Sequence, residues 1–110
     1  MKTKTYKSIV AKINAHIKAN SVVAADYSRW YAGISNDPLR RNDEHTRTFG
    51  DQICYFKSFN ARTKEIASQI EDHFASKGTI NAPGSRGAND NSKWVYVFKA
   101  KPTMIDKLNA

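Results

Sequence analysis

Tyr31, Gly33, Arg41 and His45 fall within one short run, Trp30-Tyr31-Ala32-Gly33-Ile34-Ser35-Asn36-Asp37-Pro38-Leu39-Arg40-Arg41, closed by His45. The start of the run reads as a strand. Alternate strand residues share a face, so Tyr31 and Gly33 stand together, and a glycine without a side chain leaves that face open. Asp37-Pro38 then predicts a helix start, with Asp as N-cap and Pro at the first helical position, and a short helix reaching His45. Arg41 and His45 are four residues apart, which puts them on one side of that helix. A strand tyrosine, an open glycine and an arginine can converge on a phosphate, to whose oxygens the guanidinium offers forked donors.

This block resembles the GIY-YIG nuclease family. Tyr31-Ala32-Gly33 stands where the family has Tyr-Ile-Gly, and Arg41 follows Gly33 by eight residues, the spacing of the family's catalytic arginine. His45 fits a histidine found in part of the family. Ile66-Ala67-Ser68-Gln69-Ile70-Glu71 resembles the helix that carries the family's metal-binding glutamate, which points to Glu71. No Gly-Ile-Tyr strand precedes Tyr31. Lys93-Trp94-Val95-Tyr96-Val97-Phe98-Lys99 is similar to that strand instead, with Tyr96 in place of its tyrosine. The resemblance therefore runs from about Trp30 to Phe98 and implies a circularly permuted member.

What the resemblance implies is metal-dependent hydrolysis of a nucleic-acid phosphodiester, with DNA as the substrate and RNA as the alternative. Glu71 would hold Mg²⁺ or another divalent cation, and Arg41 would balance charge on the phosphate. Tyr31 would orient or deprotonate the attacking water, with Tyr96 assisting. An unperturbed tyrosine titrates at about pH 10, so His45, with a reference value of about 6.5, is the alternative base. The departures from the family pattern imply a second outcome, an inactive module that binds nucleic acid or inhibits a protein partner on the same scaffold. From the residues alone, Tyr31 and Tyr96 also read as packed strand aromatics. Arg41 also reads as a solvated charge, and Glu71 as a surface acid or a residue at the rim of the core.

The positioning elements follow from periodicity. Ile9, Ile13 and Ile17 make one apolar stripe on a helix from about Tyr6 to Ala19, stopped at Asn20-Ser21. Val22 to Tyr27 reads equally as helix extension or packed connection. Strands are predicted over Arg29–Ile34 and Gln52–Phe59. Asn60 is placed to cap a helix ending near Lys77 before Gly78, with Ile66, Ala67, Ile70 and Phe74 as its buried face. Asn81 to Ser92 is a polar loop from which Arg86 can reach a phosphate and Asn81 and Asn89 can help close a site. Lys93–Lys99 is apolar on both faces and suits the centre of a sheet. Pro102 ends it, and Thr103–Leu108 reads as a terminal helical turn. The expectation is an α+β fold, a small three-stranded antiparallel sheet flanked by helices.

Composition bounds the rest. The chain has 110 residues and a formal net charge of +8, from 18 Lys and Arg against 10 Asp and Glu. It reads as one domain over 1–110, with a basic N-terminal helix over 1–20, a nuclease-like core over 28–99 and a tail over 100–110. The charge suits nucleic acid, anionic lipid or an acidic protein. Arg40, Arg47, Arg86 and Lys93 are the candidate nucleic-acid contacts, and the lysines between Lys2 and Lys18 either touch phosphate or form a solvated helix face. A lone cysteine, Cys54, excludes a disulfide framework and a four-cysteine zinc site, and reads as a small buried apolar residue. His16 and His73 read as surface or helix-packing residues. No nucleotide-binding glycine loop, zinc-ligand pair or paired helical histidine motif is present. No long apolar run follows the basic start, so signal-peptide and membrane-spanning readings fail, and a cytoplasmic protein is expected.

Overall fold

The computed structural model describes residues 3–21, 27–49, 53–81 and 92–100. Helix α1 spans Lys4–Ala19, where the Thr3 hydroxyl accepts the Tyr6 N–H at 3.0 Å. Its buried stripe is Tyr6, Ile9, Ile13 and Ile17, as the four-residue spacing predicts. Asn20 caps the far end, and its carbonyl accepts from Lys99 Nζ at 2.7 Å, a cation at the negative pole of the helix. A 3₁₀ turn over Tyr27–Arg29 leads into β1, Trp30–Ser35, so Arg29 belongs to the turn rather than to the strand.

Helix α2 spans Pro38–Phe49. The Asp37 carboxylate accepts the Arg40 N–H at 3.1 Å, as an N-cap does. The helix outlasts the expected end at His45, since no breaker occurs before Gly50. Strand β2 is Ile53–Asn60 and helix α3 is Lys64–Lys77. The cap of α3 is Thr63, whose hydroxyl accepts the Ile66 N–H at 3.2 Å. Asn60, expected in that role, accepts the Arg62 N–H at 2.8 Å and shapes the turn before the helix. Gly78 ends α3 at φ 110°, a left-handed cap that glycine adopts without steric cost. Strand β3 is Ile80–Asn81 and β4 is Trp94–Ala100.

The sheet order is β2-β4-β1-β3, with β4 antiparallel to both of its neighbours. These three long strands are the antiparallel sheet the sequence predicts, and β4 occupies its interior. The addition is β3, parallel to β1 with Tyr31 beside Ile80. Two residues are too few to show a strand period. With β4 between them, β1 and β2 run parallel, so α2 and α3 belong to crossovers that traverse the sheet in opposite directions. Right-handed crossovers of that kind put their helices on opposite faces. One face packs Trp30, Ala32, Val95 and Val97 against Ile13, Ile17, Ala67, Ile70 and Phe74 of α1 and α3. Strand alternation turns Tyr31, Gly33, Tyr96 and Phe98 to the other face, the side of α2.

Cys54 is only half-buried, a consequence of its place on the edge strand β2. Among the described residues, no helix is long and apolar enough to cross a membrane. The expectations for Val22 to Asp26, for the loop with Arg86 and Asn89, and for Thr103–Leu108 lie outside the described residues.

Candidate nucleic-acid interface

The register sets Gly33 opposite Tyr96 and Tyr31 opposite Phe98. Their rings form a stacked row. Tyr31 lies 4.9 Å from Phe98 and 6.1 Å from Tyr96 between centroids, and Phe56 lies 5.6 Å from Tyr96. Tyr31 is 4% exposed and Tyr96 1%. Gly33 does not leave this face open: a Cβ there would fall 2.5 Å from the Tyr96 phenol oxygen. The glycine makes room for a neighbouring tyrosine, not for a ligand, which corrects the reading of an uncovered site. The fold thus brings Tyr31 and Tyr96 together as packed rings.

Arg41 and His45 stand on α2, on the tyrosine side of the sheet, and their side chains lie outside those described. Glu71 stands on α3, 7% exposed, in the layer on the opposite face. A single carboxylate can hold Mg²⁺ when phosphate oxygens and water complete the shell. Here the sheet lies between the helix that carries Glu71 and both tyrosines. Among the described residues no three His, Cys, Asp or Glu side chains gather to hold a metal ion. Among the described residues, then, Glu71 is the single carboxylate to which the resemblance assigns a metal.

The basic candidates are dispersed. Arg40 meets Glu44 at 3.4 Å and donates to Asn36 Oδ1 at 3.1 Å; exposed pairs of this kind contribute only about 0.3–0.5 kcal/mol and are readily exchanged. Arg47 and Lys93 are exposed, and Arg86 lies outside the described residues. Lys93 has a fixed backbone, since its carbonyl accepts the Ala61 N–H at 2.8 Å beside the β2–α3 turn.

That turn forms one wall of an open cleft of about 310 Å³. Lys4, Thr5, Ser8 and Lys12 of α1 line one side and Asn60 and Arg62 the other. Lys4, Ser8 and Lys12 recur every four residues and so form one row along the helix. Arg62 holds a left-handed backbone at φ 73°, stabilised by the Asn60 side chain that accepts its N–H. Among the described residues the cleft is lined by three cations, two hydroxyls, the Asn60 amide and Ile9, and by no carboxylate. Ammonium, guanidinium and hydroxyl groups all donate to phosphate oxygens.

In the sequence Lys4 and Lys12 stand out only as members of a lysine-rich stretch, although their spacing marks them as a row. Arg62 gave no signal, because its approach to α1 is a tertiary event. No family model, curated protein or solved structure matches this chain.

Proposed function

We propose that the protein binds the phosphodiester backbone of nucleic acid, with DNA as the first partner and RNA as the alternative, through the α1 cleft. The observation that carries this reading is the row of Lys4, Ser8 and Lys12 facing Arg62 across a cleft with no carboxylate among its described lining residues. Lys4 and Lys12 are separated along the helix axis by about 12 Å. That is the axial rise of roughly three phosphates of one DNA strand. A net charge of +8 draws a polyanion to the surface, and backbone contacts of this type position the ligand without reading its bases.

The test is fluorescence anisotropy with labelled duplex DNA over a salt series. Each lost phosphate contact should flatten the plot of log affinity against log salt by about 0.9. Combining Lys12→Ala with Arg62→Ala is therefore expected to lower the slope by about two and to weaken binding at low salt. An unchanged slope would remove the cleft from the interface. Binding of polyglutamate by a protein indifferent to DNA would point to an acidic protein partner instead.

A second reading is hydrolysis of the same backbone with Mg²⁺ as cofactor, drawing on Tyr31, Arg41, His45, Glu71 and Tyr96. What supports it is that β4 pairs with β1, the strand pairing implied for a permuted first strand. End-labelled DNA would be incubated with Mg²⁺ or EDTA, beside folded Glu71→Ala and Arg41→Ala proteins. Metal-dependent cleavage lost in both variants is the expected signature. Cleavage retained in both would refute these roles, and salt-sensitive binding without cleavage would leave the binding reading alone.

A further inference from the structure

Tyr55 combines exposure with backbone strain. It is 54% exposed, a large aromatic on the edge strand β2, and its φ is 58°. A bulky residue in that left-handed region is an outlier, since only glycine enters it without steric cost. The strain has a local cause. Between the pairs Cys54–Lys99 and Lys57–Val97, β2 advances three residues while β4 moves two, so one extra residue bulges from the ladder. Bulges of this kind re-aim side chains, and glycine is the usual occupant of the left-handed position. This chain keeps a tyrosine there.

The strained peptide is also held from outside the strand. His16 Nε2 donates to the Tyr55 carbonyl at 2.8 Å, and the His16 ring in turn meets Trp30 edge-on at 5.4 Å. Tyr55 is thereby tied to α1, one helical turn beyond Lys12, the last lysine of the cleft row. An isolated exposed aromatic needs no explanation. One that occupies a glycine-favouring position, is buttressed by a histidine and is set beyond a row of cations does.

We infer that Tyr55 is a stacking platform for an unpaired base, and that the protein prefers single-stranded nucleic acid. This rests on the binding reading above. The cleft supplies contacts to phosphate, which a duplex and a single strand offer alike. A free aromatic face is useful only to a base that is not already stacked and paired. Every base has such a face, so the platform adds affinity without sequence choice.

The experiment compares three labelled probes by anisotropy: oligothymidylate, an abasic strand of equal length, and duplex DNA. Wild-type protein, Tyr55→Ala, Tyr55→Trp and Tyr55→Gly are titrated with each. Tyr55→Ala and Tyr55→Gly are expected to lose about 5- to 150-fold in affinity for oligothymidylate, with abasic and duplex binding and the salt slope unchanged. Tyr55→Trp should retain binding and show its fluorescence quenched by oligothymidylate but not by the abasic strand. Tyr55→Gly should match or exceed the wild-type melting temperature, because glycine relieves the strained backbone. A fall in melting temperature with unaltered binding would make the ring structural and overturn the inference. Equal affinity of wild type and Tyr55→Ala for oligothymidylate would overturn it while leaving the cleft in place. A dimer dissolved by Tyr55→Ala, with unchanged oligonucleotide affinity, would assign the ring to a second copy. Failure of the wild type to bind any probe would remove the binding reading, and this inference with it.

Discussion

Replacing Gly33 with alanine is expected to lower the melting temperature by about 10–20 °C, an effect out of proportion to one methyl group. The new Cβ would meet the Tyr96 oxygen at 2.5 Å, Cζ at 2.6 Å and Cε1 at 2.9 Å. Tyr96 is stacked between Phe56 and Tyr31 and is 1% exposed, so the ring has little room to withdraw. Overpacking a rigid site costs about 1–3 kcal/mol and occasionally more. In a small domain each kcal/mol shifts the midpoint by roughly 4–8 °C. The same three distances predict the pattern of rescue. Tyr96→Phe removes the oxygen but leaves Cζ in the way, so it should not rescue Gly33→Ala. In a Tyr96→Ala background the same glycine change should cost nothing further, a coupling that a double-mutant cycle by calorimetry measures directly. A neutral Gly33→Ala would mean that the ring does not cover the glycine.

Trp30→Ala should be among the most damaging single substitutions in the chain. Trp30 is fully buried beneath α1 and α3, and large-to-small changes at such sites cost about 3–5 kcal/mol. That is a large share of the margin of a domain whose total stability is of order 5–15 kcal/mol. Trp30→Phe should behave differently. The indole Nε1 is buried with no hydrogen-bond partner among the described residues, and burying an unpaired donor costs about 1–3 kcal/mol. Phenylalanine removes that donor while leaving a smaller void, so the two terms nearly cancel and the net change is expected within about 1 kcal/mol. Urea midpoints of the three proteins decide the matter. A phenylalanine variant as weak as the alanine one would show that the N–H is not an uncompensated group.

The parts of the fold legible in the sequence are those set by local chemistry. Ile9, Ile13 and Ile17 repeat at a helical period, Asp37 and Gly78 carry their own capping and steric preferences, and β4 is apolar on both faces because both are covered: Val95 and Val97 pack with α1 and α3, while Tyr96 and Phe98 stack with Phe56 and Tyr31. What stayed hidden depends on which residues meet. Asn60 and Thr63 both have capping side chains, and only the path of the turn assigns the cap to Thr63. Gly33 reads as an opening until the register supplies Tyr96. Tyr55 gives no sign of its bulge, because the residue that usually announces one is absent. In the candidate interface, Lys4 and Lys12 were legible as basic helix residues, whereas Arg62 joins them only through the packing of α1 near the β2–α3 turn.

The position of β4 also orders events in time. β1 and β2 are not neighbours in the sheet; β4 lies between them and pairs with both, and Trp30 pairs with Lys99 across most of the chain. A ribosome making about 5–20 residues per second needs several seconds to travel from the end of β2 to the end of β4. Throughout that interval the nascent chain carries Trp30, Tyr31, Tyr55 and Phe56 on strands whose long antiparallel partner has yet to be synthesised. Refolding from denaturant should likewise wait on one long-range closure, and run slowly beside an all-helical domain of equal size.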